Sequence, residues 1–579
     1  MKLPKIFLSS LLALGLVLPF TTTAEPAPGA LPIIDYGERF LPEVARNGMV
    51  VGPERLASEV GLDMLRRGGN AVDAAVATGF ALAVTYPRAG NLGGGGFMLI
   101  HLADGDRQVF IDYREAAPAA ATRDMFLDDT GAVDKQKEYF SLQAAGVPGT
   151  VAGLLAALDK YGSLSRKEVL APAIALAEKG YPMSFAQARD LNERAVMLAM
   201  DAAASAVFFH DDGSPYAMGD TFRQPDLAWT LRQIAERGHD GFYKGPVAAK
   251  IVDAMEKDDG IMTAKDLANY RSLEREPVRG SFHGFEVVSA PPPSSGGIHI
   301  IEMLNILEGY DLAAMGHNSA NYIHHLAEAM KRAYADRSEY LGDPDFVEVP
   351  KRLTDKDYAV QLRKSIDPDK ATPASEIKPG LEPVSESRDT THFSVADAAG
   401  NVVTNTYTLN FSFGNHRVVP GTGFLLNNEM ADFAAAPGTA NAFGLVQGER
   451  NRIEGNKRPL SSMSPTLVLR DGKPWIATGS PGGSQIITTV LQTILNAMVF
   501  DMNIATAAMS PRVHHQWQPD TLLLEQGVSP DTLTLLLARG QPAEYTERTL
   551  GRTQSIMLRD GWLFGATDSR RPEGHVAAY

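Results

Sequence analysis

The 579-residue sequence contains no cysteine and fewer basic than acidic residues. The absence of cysteine excludes disulfide bonds, thiolate metal sites and a lipid-modified cysteine. Lysine and arginine number 54 against 69 aspartates and glutamates, which gives a net charge of -15 and argues against a nucleic-acid partner. Hydrophobic residues make up 44% and charged residues 21% of the chain, as is ordinary for a globular protein.

Long hydrophobic runs are also missing, except near the start of the chain. Two lysines precede an apolar stretch at 6–20, which is shorter than a membrane span and is followed by a small-x-small cleavage site ending at Ala24. This pattern predicts a signal peptide over residues 1–24, with an uncleaved anchor helix as the alternative. We therefore expect a periplasmic or secreted bacterial protein with no membrane anchor after signal removal.

The rest of the sequence predicts sheets flanked by helices in both halves, which suggests a layered α/β body. Lys331 and Arg332, on a long helix, are expected to face solvent. The predicted elements, in chain order, are a strand and a helix within 49–69, a helix at 70–83, strands at 97–102 and 109–113, mostly helix from about 140 to 340 with a long helix at 321–340, a hairpin within 392–409, strands at 460–470 and 474–478, a helix at 484–500, and strands at 521–525 and 555–558.

A polar segment ends immediately before a pair of threonines. Prolines and glycines interrupt residues 366–389, so we expect a flexible tether there. An internal threonine is a poor nucleophile, but at a chain start the α-amine lies beside the hydroxyl and can act as its base. A cut between Asp389 and Thr390 would thus turn an inert precursor into an enzyme. An ordinary strand threonine is the alternative interpretation.

Three further segments carry groups suited to an acyl-transfer site. Residues 406–410 hold hydroxyl and amide side chains on the strand predicted to pair with that of Thr390. Consecutive glycines within 478–484 precede a helix, where their N–H groups can form an oxyanion hole. Two adjacent serines within 458–466 can hold a carboxylate. Taken singly, each segment is equally compatible with an ordinary strand or turn.

Long motifs in these segments resemble the γ-glutamyltranspeptidase (glutathione hydrolase) family of N-terminal-nucleophile hydrolases. The resemblance implies an α+β fold, a four-layer αββα sandwich built from two subunits cut from one precursor. It implies a large subunit at 25–389 and a small catalytic subunit at 390–579, which form a heterodimer. The motifs extend over nearly the whole mature chain. In chain order they lie around Gly93 and at 112–115, 334–343, 390–392, 425–430, 457–466 and 511–515.

The resemblance also implies roles for single residues and a lid within 437–456. Phe443 of this lid stands where some bacterial members carry a tyrosine, and the role of Arg570 is left open. The matched residues are Thr390 for the nucleophile, Thr408 for the threonine that hydrogen-bonds it, Gly482 and Gly483 for the oxyanion hole, Arg114, Ser461 and Ser462 for the substrate α-carboxylate, and Asn410, Glu429 and Asp432 for its α-amine.

The implied enzyme cleaves the γ-glutamyl amide of glutathione and other γ-glutamyl compounds through a γ-glutamyl-threonine ester. Water, amino acids or dipeptides then accept the group, and no cofactor is implied. No metal is expected, because the histidine pairs at 324–325 and 514–515 lack a third ligand at metal spacing. Two alternatives are a glutaryl or cephalosporin acylase on the same scaffold, which needs no grips for both an α-carboxylate and an α-amine, and a non-enzymatic periplasmic binding protein that never cleaves itself.

Overall fold

The computed structural model describes residues 40–378, 390–436, 448–570 and 573–579. The predicted signal peptide, Asp389 of the cleavage site and Phe443 of the lid lie outside the described residues. None of the described helices combines the length and the apolar character that crossing a membrane requires.

The strands alternate along the chain with helices on both sides of the Thr390 position. The strands are β1 (Glu43–Ala45), β2 (Gly48–Gly52), β3 (Gly95–Leu102), β4 (Arg107–Tyr113), β5 (Tyr181–Pro182), β6 (Thr221–Phe222), β7 (Leu273–Arg275), β8 (Val278–Phe282), β9 (Phe285–Ser289), β10 (Thr391–Asp397), β11 (Val402–Thr408), β12 (Thr466–Arg470), β13 (Lys473–Thr478), β14 (Val513–His514), β15 (Leu522–Glu525), β16 (Ala543–Thr546), β17 (Gln554–Arg559), β18 (Trp562–Thr567) and β19 (His575–Ala578). The helices are α1 (Arg55–Arg66), α2 (Ala71–Thr85), α3 (Lys135–Phe140), α4 (Thr150–Tyr161), α5 (Arg166–Lys179), α6 (Phe185–Leu198), α7 (Ala202–Phe208), α8 (Pro225–Arg237), α9 (His239–Tyr243), α10 (Pro246–Lys257), α11 (Ala264–Asn269), α12 (Gly296–Leu307), α13 (Leu312–Met315), α14 (Ala320–Tyr340), α15 (Lys356–Lys364), α16 (Gln485–Phe500), α17 (Ile504–Met509) and α18 (Pro530–Ala538).

Two seven-stranded antiparallel sheets form the centre of the molecule. Sheet I has the strand order β1-β18-β17-β13-β12-β9-β8, and sheet II has the order β19-β2-β10-β11-β3-β4-β7. Each sheet contains strands from before and after Thr390 in the chain. A cut before Thr390 would therefore leave two fragments that share both sheets and stay packed as one body.

Helices cover the outer faces of both sheets, which makes four layers. The outer face of sheet II packs against α1, α2 and α4 in one apolar cluster, and α5 packs on α2. The inner face of sheet II, sheet I and the helices α12, α14, α16 and α17 form a second apolar cluster. Burial of apolar side chains between these layers is the main stabilising contribution to such a fold.

Helix α2 illustrates how local sequence fits this layering. Asn70 and Asp73 form a reciprocal capping box that satisfies N–H groups at the start of the helix. All fifteen residues of α2 are buried, and most are alanine, valine or another small residue. Because small side chains allow close packing, α2 packs tightly against both α1 and sheet II.

The hairpin of β10 and β11 fixes the position of Thr390. Asp397 accepts hydrogen bonds from the backbone N–H groups of Ala399 and Asn401, which closes the turn between the two strands. The register pairs Thr391 with Tyr407. Thr390, one residue earlier, therefore lies at the end of the hairpin beside Thr408.

The predicted elements differ from the observed ones in two places. The strand expected at 460–470 covers only Thr466–Arg470, because the preceding residues form an extended segment that bonds to the 293–295 turn. The region from 140 to 340 is mostly helical, as predicted, but it also contains β5, β6 and the antiparallel strands β7, β8 and β9, which were not predicted. β8 lies at the edge of sheet I, and most of its residues are exposed or half-buried. Such a strand has few buried apolar positions, so its sequence pattern is weak.

The tether predicted over 366–389 is packed over its first part. Ala371 N–H donates to the carbonyl of Arg539 at 2.8 Å, and Ala374 N–H donates to Asp520 at 2.8 Å. Ala374 is fully buried. The prediction of a flexible segment is therefore wrong for 366–378, while 379–389 lies outside the described residues.

The prediction that Lys331 and Arg332 face solvent is also wrong. Both side chains are buried and form ion pairs with Glu328, one helical turn earlier on α14. The amphipathic pattern could not predict this burial. In sequence, a buried ion pair between residues three or four positions apart on a helix looks the same as an exposed one.

Candidate active site

Thr390 lies in a cleft of about 320 Å³, a volume that includes its solvent-open mouth. Nine residues that the sequence analysis assigned to the site share this cleft, although they come from segments more than 300 residues apart. The cleft is lined by Arg114, Arg337, Thr390, Thr408, Asn410, Glu429, Asp432, Leu460, Ser461, Ser462, Met463, Gly483 and Ile486.

The Thr390 hydroxyl is oriented by the end of β11. Its Oγ1 lies 3.5 Å from Thr408 Oγ1, which is a long hydrogen bond. Thr408 Oγ1 is itself fixed by the backbone N–H of Asn410, which donates to it at 2.8 Å. Asn410 adopts a left-handed backbone with φ 72°, and this bend brings its N–H back toward Thr408. The arrangement holds a hydroxyl beside the candidate nucleophile.

The glycine pair lies between β13 and α16. Gly482 has φ 136° and Gly483 has φ 56°, and the first of these conformations is essentially restricted to glycine. The backbone N–H groups of Gln485 and Ile486 then bond to the carbonyls of Gly482 and Gly483. Gly483 lines the cleft with Thr390, while Gly482, the residue before it in the chain, is not among the lining residues. This is the start of a helix, where backbone N–H groups favour an anion.

Arg114 follows the end of β4 and is held in place by its own segment. Its backbone N–H donates to Asp112 at 3.0 Å, and Asp112 is in turn paired with Arg275 and Arg458. Its Nε donates to the carbonyl of Pro459 at 3.2 Å. The guanidinium is therefore directed at the same loop that carries the serine pair.

Both serines line the cleft, and Ser461 can act there as a hydrogen-bond donor. The backbone N–H of Met463 donates to Ser461 Oγ at 3.1 Å. Because a hydroxyl carries one hydrogen, an oxygen that already accepts from an N–H keeps its hydrogen for another partner. The segment is anchored by Ser461 N–H to the Pro293 carbonyl and by Ser295 N–H to the Ser461 carbonyl, both at 2.8 Å.

Arg114 forms ion pairs with both Glu429 and Asp432. All three side chains are nearly inaccessible to solvent. Burial alone would lower the pKa of Arg114, but the neighbouring carboxylates outweigh it and raise that pKa, so the guanidinium stays charged. Burial raises the pKa of Glu429 well above its ordinary value, against the opposing pull of Arg114.

A third carboxyl group adds to this acidic cluster. Glu115 is fully buried, and its nearest carboxylate oxygen lies 3.7 Å from Arg114 Nη1. Burial raises the pKa of Glu115 to about 7. Three carboxyls around one guanidinium give the cluster an excess of acidic groups, which suits an incoming ammonium.

Asn410 offers a further acceptor. Its Nδ2 donates to the carbonyl of Asn428 at 2.9 Å, which fixes the amide. Its buried Oδ1 accepts no hydrogen bond from any described residue. An unsatisfied buried oxygen in a cleft is costly and is typical of an atom that binds a ligand.

The structure thus brings together Thr390, Thr408 and Gly483 with the six residues assigned to substrate binding. Sequence reasoning gave no role to Arg337, which also lines the cleft, although it lies within the quoted motif at 334–343. Its position in the last turn of a long helix, where a basic residue is ordinary, gave no local signal of a role in the site. Arg570 lies elsewhere, in an ion-pair network with Asp568 and Glu525.

Comparisons with known proteins agree with this geometry. A family model described as Gamma-glutamyltranspeptidase matches residues 57–579. The chain is 52% identical over 562 residues to the glutathione hydrolase proenzyme of Escherichia coli, covering 96% of each chain. It is 39% identical over 550 residues to the Acylase ACY 1 proenzyme of a Pseudomonas species, covering 93% of this chain and 95% of that one. The solved structure of a cephalosporin acylase from Bacillus halodurans matches with a TM-score of 0.83 and 28% identity, covering 96% of this chain and 99% of that one. The likeness confirms the predicted four-layer αββα fold.

Proposed function

The chain belongs to the gamma-glutamyltranspeptidase family, and from this premise we propose how its site acts. The protein is an autoprocessing γ-glutamyltransferase and glutathione hydrolase. It cleaves γ-glutamyl amides through an ester on Thr390 and transfers the γ-glutamyl group to water or to an amine. Amino acids and dipeptides are the proposed acceptors.

The proposed substrate class rests on one observation. Positively and negatively charged side chains line the same cleft as Thr390. Arg114, Ser461 and Ser462 present donors, and Glu429, Asp432 and Asn410 present acceptors. A γ-glutamyl group has an α-carboxylate and an α-ammonium on the same carbon. Its carboxylate would replace Glu429 and Asp432 on Arg114, and its ammonium would compensate the two released carboxylates. A ligand with only one of these charges would leave a buried partner unpaired, which is unfavourable.

Maturation is proposed to start from Thr390. Its hydroxyl attacks the carbonyl carbon of Asp389, the peptide C–N bond breaks as the ester C–O bond forms, and the nitrogen becomes the free α-amine of Thr390. Water then hydrolyses the ester, which releases the carboxylate of Asp389 and restores the hydroxyl. The large subunit would span 25–389 and the small subunit 390–579.

Turnover reuses the same hydroxyl. The α-amine of Thr390, with an ordinary pKa of about 8, takes the hydroxyl proton as the oxygen attacks the γ-carbonyl carbon. The N–H groups of Gly482 and Gly483 would stabilise the tetrahedral oxyanion, and one such donor is commonly worth about a hundred- to a thousand-fold in rate. The proton passes to the leaving amine, which for glutathione is cysteinylglycine. Water or an acceptor amine then attacks the ester and frees Thr390.

The acylase relatives make a glutaryl-type substrate the main competing assignment. Glutaryl amides keep a carboxylate at the position of the α-carboxylate but lack the α-ammonium, so they would displace Glu429 and Asp432 from Arg114 without bringing a cation to compensate them. The two assignments separate when wild-type enzyme is assayed with γ-glutamyl-p-nitroanilide and with glutaryl-p-nitroanilide. We expect the γ-glutamyl compound to have the higher kcat/KM by at least about a hundred-fold, because only this compound carries the ammonium that the buried acceptors of the cleft can bind. A preference for the glutaryl compound would refute the proposed substrate class.

Processing and export are tested by intact-mass measurement and sequencing of both fragment starts. We expect a small fragment that starts at Thr390 and a large fragment that starts near Glu25. The second start would support the proposed periplasmic or secreted location. A single full-length species in active enzyme would contradict the nucleophile assignment.

A further inference from the structure

Arg337 is a buried cation in the cleft, and no carboxylate of the described residues forms an ion pair with it. It lies in the last turn of α14, and its side chain is almost fully buried. Its Nε donates to Ser295 Oγ at 2.9 Å, and its Nη2 lies 3.4 Å from Ser462 Oγ. Its buried Nη1 has no hydrogen-bond partner among the described residues.

The other buried arginines are all paired with carboxylates. Arg114 pairs with Glu429, and three further buried arginines form ion pairs with carboxylates of their own. Among the five buried arginines of the described residues, Arg337 alone lacks such a pair. Burial lowers its pKa to about 10, so it stays protonated at neutral pH. An unpaired buried cation is unfavourable unless an anion binds near it.

The contact with Ser462 has a defined direction. A guanidinium only donates hydrogen bonds, so Ser462 Oγ must act as the acceptor in this contact. Ser462 Oγ donates to no other described residue, and the side chain lines the cleft. Its single hydrogen is thereby left for an anion in the cleft. Arg337 thus does for Ser462 what the Met463 N–H does for Ser461.

Helix α14 carries a second link to the site. Tyr334, about one turn before Arg337, donates its hydroxyl hydrogen to the carbonyl of Ser484, next to the glycine pair. One helix end therefore contacts both the serine pair and the start of α16. A rigid helix therefore supports Arg337 on the side of the cleft that carries Ser461 and Ser462.

We propose that Arg337 is a positioning residue for the substrate α-carboxylate, which orients the Ser462 hydroxyl as a donor and supplies a second positive charge beside Arg114. This inference rests on the proposed γ-glutamyl function. It predicts a specificity role for Arg337 that the sequence motif alone does not assign.

The test compares Arg337→Met with a matched control, Arg332→Met, in matured enzyme. Arg332 lies on the same helix and is also buried, but its partner is Glu328 and it does not line the cleft. For γ-glutamyl-p-nitroanilide we expect Arg337→Met to raise KM about 10- to 100-fold with kcat changed less than about three-fold, as for loss of a charged hydrogen-bond donor. Arg332→Met should leave KM unchanged and lower the thermal midpoint.

A double-mutant cycle and a second substrate separate positioning from general damage. In a Ser462→Ala background, the effect of Arg337→Met on KM should shrink to less than about three-fold, because the two act through one contact. For 4-aminobutanoyl-p-nitroanilide, which lacks the α-carboxylate, Arg337→Met should leave kcat/KM unchanged. An equal loss for both substrates would overturn the proposal.

A wild-type KM in matured Arg337→Met would also overturn it. If that variant fails to mature, Arg337→Lys keeps the charge but loses the planar fork, and we expect it to mature with an intermediate KM. A wild-type KM for the lysine variant would equally overturn the proposal. If wild-type enzyme itself does not cleave γ-glutamyl-p-nitroanilide, the proposed function fails, independently of any role of Arg337.

Discussion

Thr390 Oγ1 lies 3.5 Å from Thr408 Oγ1, at the open end of the β10–β11 hairpin. Thr408 belongs to the strand that pairs with the strand following Thr390, so the contact is set by strand register. A shift of one residue would turn the Thr408 side chain to the opposite face of sheet II. The hairpin turn at Asp397, far from the cleft, therefore contributes to the placement of the nucleophile.

Replacement of Thr390 tests both proposed uses of its hydroxyl. We expect Thr390→Ala to give one uncut chain without γ-glutamyl activity, because the variant lacks the oxygen that attacks in both steps. Thr390→Ser keeps a hydroxyl and should still mature, though more slowly. A denaturing gel and a γ-glutamyl-p-nitroanilide assay read the outcome. Two normal fragments from Thr390→Ala would remove Thr390 as the nucleophile.

Replacement of Arg114 should separate binding from maturation. Arg114→Ala removes the guanidinium that pairs with Glu429 and Asp432, and with it the donor that would bind the substrate α-carboxylate. We expect normal cleavage into two fragments but a KM for γ-glutamyl-p-nitroanilide raised about a hundred-fold or more, since a bidentate charged contact is lost. An unchanged KM in the matured variant would contradict the role of Arg114.

The sequence predicted the site better than the fold's details. Thr390, the glycine pair and the serine pair lie in turns or at element ends, where local sequence is most informative. Their convergence on one cleft depends on the sheet order, which places β10 between β2 and β11. Short-range patterns contain no information on such long-range pairing, and the family resemblance supplied it.

The predictions that failed did so because they depend on contacts between residues distant in sequence. Lys331 was expected in solvent, yet it is buried, because its ammonium group pairs with Glu328 and donates a hydrogen bond to the carbonyl of Thr372. Thr372 lies 41 residues away, so no local window reports it. Arg337 went without a role for the same reason, since its contacts at Ser295 and Ser462 are distant in sequence.

The glycine pair allows a matched test of the oxyanion loop. Gly482 has φ 136°, a conformation closed to alanine, so Gly482→Ala must displace the loop beside Gly483. We expect kcat for γ-glutamyl-p-nitroanilide to fall about a hundred-fold or more, as for loss of one oxyanion donor. Gly472→Ala is the control, because Gly472 also has a positive φ, 76°, but lies at an open turn with no neighbour within 4 Å. It should cost about 1–2 kcal/mol of stability and leave kcat unchanged. Equal kcat values for both variants would exclude the loop from catalysis.

A buried ion network behind this loop gives the protein a specific acid sensitivity. Asp568 pairs with Arg512 at 2.9 Å and with Arg570 at 2.6 Å, and Arg512 also donates to the carbonyl of Leu550. Next to Leu550, Gly551 packs on the Ser480 side chain. The network therefore supports the loop that leads to the glycine pair.

The stability supplied by Asp568 should disappear in acid. Burial opposes its ionisation, but Arg512 and Arg570 outweigh burial and lower the pKa of Asp568 to about 2. Because the folded pKa lies below the unfolded value of about 3.9, its contribution of ~2 kcal/mol is present above about pH 4 and is lost as the pH falls toward 2. Asp568→Asn should thus lower the thermal midpoint at pH 7, and the difference in midpoint from wild type should narrow between pH 4 and pH 2.

Asp560→Asn, at an exposed ion pair with Arg559, serves as the control and should leave the midpoint unchanged at every pH. A gap for Asp568→Asn that stays constant down to pH 2 would show that the network does not stabilise the fold through its charge.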